Sequence, residues 1–172
     1  MNGVLYPSIP KNSSSVWRNR VFGSPGSTVN IDQLPDISFA FAIIRNPHDR
    51  LISGLGEWIK RSNRSESVEQ ILDDFDYYAV WHQSVNDLNF YAHIMPQQYF
   101  VEEYDFELFE FTKQNQIATR LAEKNLKVLC DRVTQSVNVD VFKTHEFVDD
   151  ERTQDIVKRY YQKDVELWMS CQ

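Results

Sequence analysis

Eight residues, Ile37 to Ile44 ("ISFAFAII"), are almost continuously apolar and run straight into Arg45-Asn46-Pro47. A strand with one wet face alternates apolar and polar residues. This run does not alternate, so it predicts a strand buried on both faces. Such a strand needs helices packed over it, which constrains the chain to an α/β arrangement with a mainly parallel sheet. Past Pro47, the stretch from Asp49 to Arg61 places Leu51, Ile52, Leu55, Trp58 and Ile59 at helical spacing. That pattern predicts an amphipathic helix lying on the sheet.

The remaining segments fit the same plan. "GVLYPSIP" (Gly3 to Pro10) suits a short strand leading into a loop, and a helix capped by serine is expected from Ser14 or Ser15 to about Phe22. Gly23 to Asp36 is loop chemistry, rich in Gly, Pro, Ser and Asn. Val68, Ile71, Leu72 and Phe75 predict a second helix; "FELFEF" (Phe106 to Phe111) predicts a strand, followed by a helix from about Lys113 to Lys124. Glu151 to Met169 reads as one terminal helix, while residues 84–104 have no clear period.

The 172 residues make room for one full core, so a single domain over 1–172 is expected. A net charge of −7 argues against generic nucleic-acid binding, which needs a basic face. Cys130 and Cys171 lie far apart without metal-ligand spacing, which fits a reducing compartment better than a disulfide framework. No apolar run is long enough to span a membrane, and the first residues lack the layout of a signal peptide. The expectation is a soluble cytoplasmic protein with no membrane partner, its oligomeric state left open.

Two loops carry the chemistry. "PKNSSSVWRN" (Pro10 to Asn19) puts one lysine and three serines between a strand and a helix start. A strand-to-helix loop presents backbone N–H groups and the positive end of the helix dipole, a ready place for phosphate or sulfate. The spacing is not that of the nucleotide triphosphatases, since there is no Gly-Lys-Ser/Thr. The bland alternative is a capped helix. In the second loop Arg45 follows the buried strand and Ser53 falls eight residues later in the helix. Arginine offers a fork of donors suited to phosphate, and the serine a further hydroxyl. Here the bland alternative is an Asn-Pro turn with Arg45 and Arg50 in surface ion pairs.

Together these loops resemble the sulfotransferases that use 3'-phosphoadenosine 5'-phosphosulfate (PAPS). "PKNSSSVW" is similar to their 5'-phosphosulfate loop. "FAIIRNPHDRLISGL" resembles their 3'-phosphate segment, with Arg45, Pro47, Arg50, Leu51 and Ser53 in register. "AHIMPQ" (Ala92 to Gln97) and "RYYQKDVELW" (Arg159 to Trp168) resemble segments of the carbohydrate sulfotransferase branch. The resemblance implies a P-loop-containing nucleotide-hydrolase-like three-layer fold with a central, mainly parallel sheet flanked by helices. It implies PAPS as donor, adenosine 3',5'-bisphosphate as product, a hydroxyl acceptor of carbohydrate type, and no metal. Lys11 would stabilise the bridging oxygen, Asn12, Ser13, Ser14 and Ser15 would hold the 5'-phosphate, and Arg45 and Ser53 the 3'-phosphate.

Two departures from the family pattern stand out. Ser13 occupies a position where many members carry glycine or alanine. Between Lys11 and Arg45, where many members carry a His or Glu base, this chain has only Asp32 and Asp36. His93 is then the expected base, with His82, His48, His145 and Glu57 as alternatives. The rival readings are a degenerate homologue that binds nucleotide without turnover, a P-loop kinase, and a plain interaction module.

Overall fold

The computed structural model describes residues 3–13, 16–17, 21–22, 36–62, 68–75, 93–126 and 151–172. Ser14, Ser15, Asp32, His82, Cys130 and His145 lie outside the described residues, as does most of the helix expected from 14 to 22. Among the described residues three strands form one parallel sheet in the order β1 (Gly3–Leu5), β2 (Ile37–Ile44), β3 (Glu107–Glu110). The apolar run is therefore the central strand, with the bounds its sequence predicts.

Both faces of β2 are covered, as its lack of alternation requires. On one side Phe39, Phe41 and Ile43 pack with Val16, Trp17, Phe109, Ile117 and Leu121. Phe41 is fully buried, stacked on Tyr6 with ring centroids 4.9 Å apart and edge-on to Trp17 at 5.2 Å. Burying an aromatic of that size stabilises the fold by roughly 1.5–3 kcal/mol. On the opposite side Ala42 and Ile44 pack with Ile9, Phe100, Leu108, Leu167 and Trp168.

The helices are α1 (Pro47–Ser62), α2 (Val68–Asp73), α3 (Asn115–Glu123), α4 (Glu151–Tyr160) and α5 (Gln162–Ser170). Short 3-10 turns occupy Gln97–Phe100 and Phe111–Lys113. Asn46 starts α1 by accepting from the N–H of His48 at 2.9 Å, the usual way an Asn satisfies an orphan donor. Leu51, Ile52 and Leu55 of α1 then pack against Ile71, Phe75, Ile156 and Tyr161. No helix among the described residues is long and apolar enough to cross a membrane. Cys171 is a free thiol, half-buried, and burial pushes it up from its ordinary pKa.

The C-terminal segment departs from expectation. Its spacing predicts one helix, but the chain makes two, broken at Tyr161 (φ −124°, ψ 22°). The break coincides with long-range bonds to one segment. Tyr161 is buried and donates its hydroxyl to the carbonyl of Ile94, and Asp164 turns inward to the N–H groups of Gln97 and Gln98.

Candidate functional site

The strands are parallel, so the loops that follow all three emerge at one end of the sheet, where α/β proteins place their ligand sites. The loop after β1 carries Lys11, Asn12 and Ser13; Arg45 directly follows β2; Phe111 directly follows β3. These loops touch. Arg45 donates through Nη1 to the carbonyl oxygen of Lys11 at 3.0 Å, and its guanidinium lies 5.0 Å over the ring of Phe111. Gln114 donates to Ser13 Oγ at 3.1 Å and accepts from Trp17 Nε1 at 2.7 Å.

Lys11 and Ser13 both have left-handed backbone, with φ of 69° and 62°. Asn12 between them is outside that region. The N–H of Asn12 is bonded to the Ile9 carbonyl at 3.2 Å, but left-handed residues of this kind provide the backbone setting that suits an anion. It also explains why Ser13 matters: the position is one that glycine adopts without steric cost. Lys11 Nζ lies 3.6 Å from Glu57 Oε2 of α1, each side chain about a quarter exposed.

Asn12 behaves differently from the role its resemblance implies. Its amide is fully buried and donates to the carbonyl of Ile43 at 2.6 Å and to Gln97 Oε1 at 2.5 Å. Its own N–H goes to Ile9. Asn12 thus holds the loop to the end of β2 from beneath.

One face of α1 completes the site. Positions 50, 53, 54 and 57 share that face by helical spacing. Arg50, 1% exposed, donates through Nε to Pro10 O at 3.1 Å and through Nη1 to Met95 O at 2.7 Å. It is therefore a buried tie between two loops, and the surface ion pair offered as its bland alternative is wrong. Ser53 is half-buried on the same face. Gly54 abuts the main chain at His93, where an added Cβ would lie 2.5 Å from the His93 carbonyl oxygen. His93 therefore approaches α1 one turn from Glu57. His48 is turned elsewhere, sharing a hydrogen bond with Thr153 Oγ1 at 3.0 Å.

Electrostatics mark the same end of the sheet. Burial lowers the Arg45 guanidinium from its ordinary pKa, partly offset by the charge of Asp49. Burial lowers Arg50 as well, with Tyr161 and Asp164 pulling the other way. Arginine remains protonated in such settings. Burial pushes the Asp164 carboxyl up, against the N–H groups of Gln97 and Gln98 and the charge of Arg50.

Of the residues singled out in the sequence, Lys11, Ser13 and Arg45 come together at one end of the sheet, with Ser53 and His93 on or against α1. Gln97, Asp164 and Gln114 escaped the sequence reading as site residues. They are polar side chains whose inward orientation no spacing rule reports; Gln97 and Asp164 do lie in the segments around Ala92–Gln97 and Arg159–Trp168 that carry the resemblance. Comparison of the chain with family models, with curated proteins and with solved structures gave no match.

Proposed function

We propose that this protein is a sulfotransferase with a P-loop-like nucleotide fold, moving a sulfuryl group from PAPS to an acceptor hydroxyl of carbohydrate type. One observation carries the reading: the two loops read as anion-binding, 34 residues apart, meet through the Arg45–Lys11 hydrogen bond at the carboxyl ends of parallel strands. The donor set is an ammonium, a guanidinium and hydroxyls around left-handed backbone, which suits a nucleotide carrying two phosphates.

PAPS, when bound, supplies an activated sulfuryl group on its 5'-phosphate. In this scheme Lys11 and Ser13, with Ser14 and Ser15, hold the 5' side, and Arg45 with Ser53 the 3'-phosphate. Lys11 neutralises charge on the bridging oxygen as the S–O bond breaks, and a base takes the acceptor proton as the new O–S bond forms. Such transfer asks the protein mainly for positioning and charge. Glu57, beside Lys11, is the base we assign; His93 is the alternative from the sequence.

Calorimetry with adenosine 3',5'-bisphosphate and adenosine 5'-monophosphate tests the nucleotide. The bisphosphate should bind more tightly, and Arg45→Ala should cost it roughly tenfold to a hundredfold while the monophosphate loses far less. Equal binding of the two by the wild type would reject the reading. For the base, Glu57→Gln should lower sulfuryl transfer by about 10²–10⁴ with bisphosphate affinity retained. Collapse of transfer in His93→Ala, with Glu57→Gln active, would move the role to His93.

A further inference from the structure

We infer that Gln97 is the positioning residue that sets the separation of the two anion loops, and so matches the site to a ligand with two phosphates. The inference rests on the sulfotransferase reading for its ligand and on hydrogen bonds for its geometry. The Gln97 side chain is fully buried, and its carboxamide grips both loops at once. Oε1 accepts from Asn12 Nδ2 at 2.5 Å and from the N–H of Arg45 at 2.9 Å, while Nε2 donates to the carbonyl oxygen of Arg45 at 2.9 Å.

Holding both main-chain groups of Arg45 orients that residue's backbone, and with it the direction in which the guanidinium leaves the chain. Holding Asn12 fixes the neighbouring residues Lys11 and Ser13. The clamp is itself anchored: Asp164 of α5 accepts from the N–H of Gln97 at 2.7 Å and of Gln98 at 2.9 Å. No apolar residue of similar size could make the three side-chain bonds. A ligand that bridges two subsites gains affinity from their fixed separation, because its second contact becomes intramolecular. A ligand that uses one subsite gains nothing from it.

The test is Gln97→Met, measured by calorimetry with adenosine 3',5'-bisphosphate and adenosine 5'-monophosphate, together with amide hydrogen exchange of ligand-free protein. The preference for the bisphosphate should fall by about tenfold or more, with monophosphate affinity near wild type, and the Arg45 amide should exchange faster. If Gln97→Met does not fold, Gln97→Glu carries the test. It keeps the size and the two accepting contacts but sets a carboxylate oxygen against the Arg45 carbonyl oxygen, so the ratio of the two affinities should shift in the same direction, read as a ratio because the added negative charge weakens both anions. A variant that loses both ligands by one factor, or only melts earlier, makes Gln97 plain packing and overturns the inference. Unchanged protection of the Arg45 amide overturns it whatever ligand binds. Equal binding of both nucleotides by the wild type overturns the sulfotransferase reading alone, since the exchange result still judges the clamp.

Discussion

Lys11 sits in left-handed backbone, φ 69°, where a side chain other than glycine's is strained by about 1–2 kcal/mol. A chain keeps such a residue when its side chain is needed there. The ion pair with Glu57, 3.6 Å long and about a quarter exposed at each side chain, is partly screened by solvent and does not by itself account for it. The two effects can be separated by comparing Lys11→Ala with Lys11→Gly. Both remove the ammonium and, on the proposed function, should abolish sulfuryl transfer. Only the glycine variant relieves the backbone, so it should be more stable than the alanine variant by about 1 kcal/mol, measured by denaturant unfolding. Equal stabilities would mean that the loop is not strained at this position.

Elements were legible in the sequence wherever one physical pattern dominated. Ile37–Ile44 was readable because a nearly unbroken apolar run bounded by turn residues suits a strand covered on both faces, and α1 because its apolar stripe is regular. The division of α4 from α5 was not, because helical spacing continues through Tyr161 and the partner Tyr161 meets there, the carbonyl of Ile94, lies 67 residues away. The same break brings Asp164 inward, and that gives the element a pH signature. Burial raises the folded pKa of Asp164 above the unfolded value. Just above the ordinary carboxylate range the folded protein then holds a proton that the unfolded chain has lost. Through that window stability falls as pH rises. The stability difference between wild type and Asp164→Asn should therefore shrink as pH rises upward from the ordinary carboxylate range, in unfolding curves taken at each pH. A difference that grows would mean that the two N–H donors and Arg50 outweigh burial.

Across the molecule, the site joins parts far apart in the chain: the loop after β1, Arg45 after β2, Gln114 beyond β3, and α5 through Asp164 and Gln97. The loops themselves were legible, since Lys11, Ser13 and Arg45 belong to recognisable strand-to-helix connections. What joins them was not, because Asn12, Gln97 and Gln114 are residue types that usually face water. Among the described residues, interlocking of this kind makes a physical argument for one cooperative unit, in which opening the site loosens the sheet. A ligand that binds only the folded state then stabilises the whole by an amount set by its concentration relative to its Kd, about 2.7 kcal/mol at a hundredfold excess. For a chain of this size each kcal/mol raises Tm by about 2–4 °C. Adenosine 3',5'-bisphosphate at that excess should thus raise Tm by about 5–10 °C. Far-UV and near-UV circular dichroism should report the same shifted transition. If only one signal moves, or the trace splits in two, the nucleotide site unfolds separately from the rest, and the single-domain reading fails while the binding result stands.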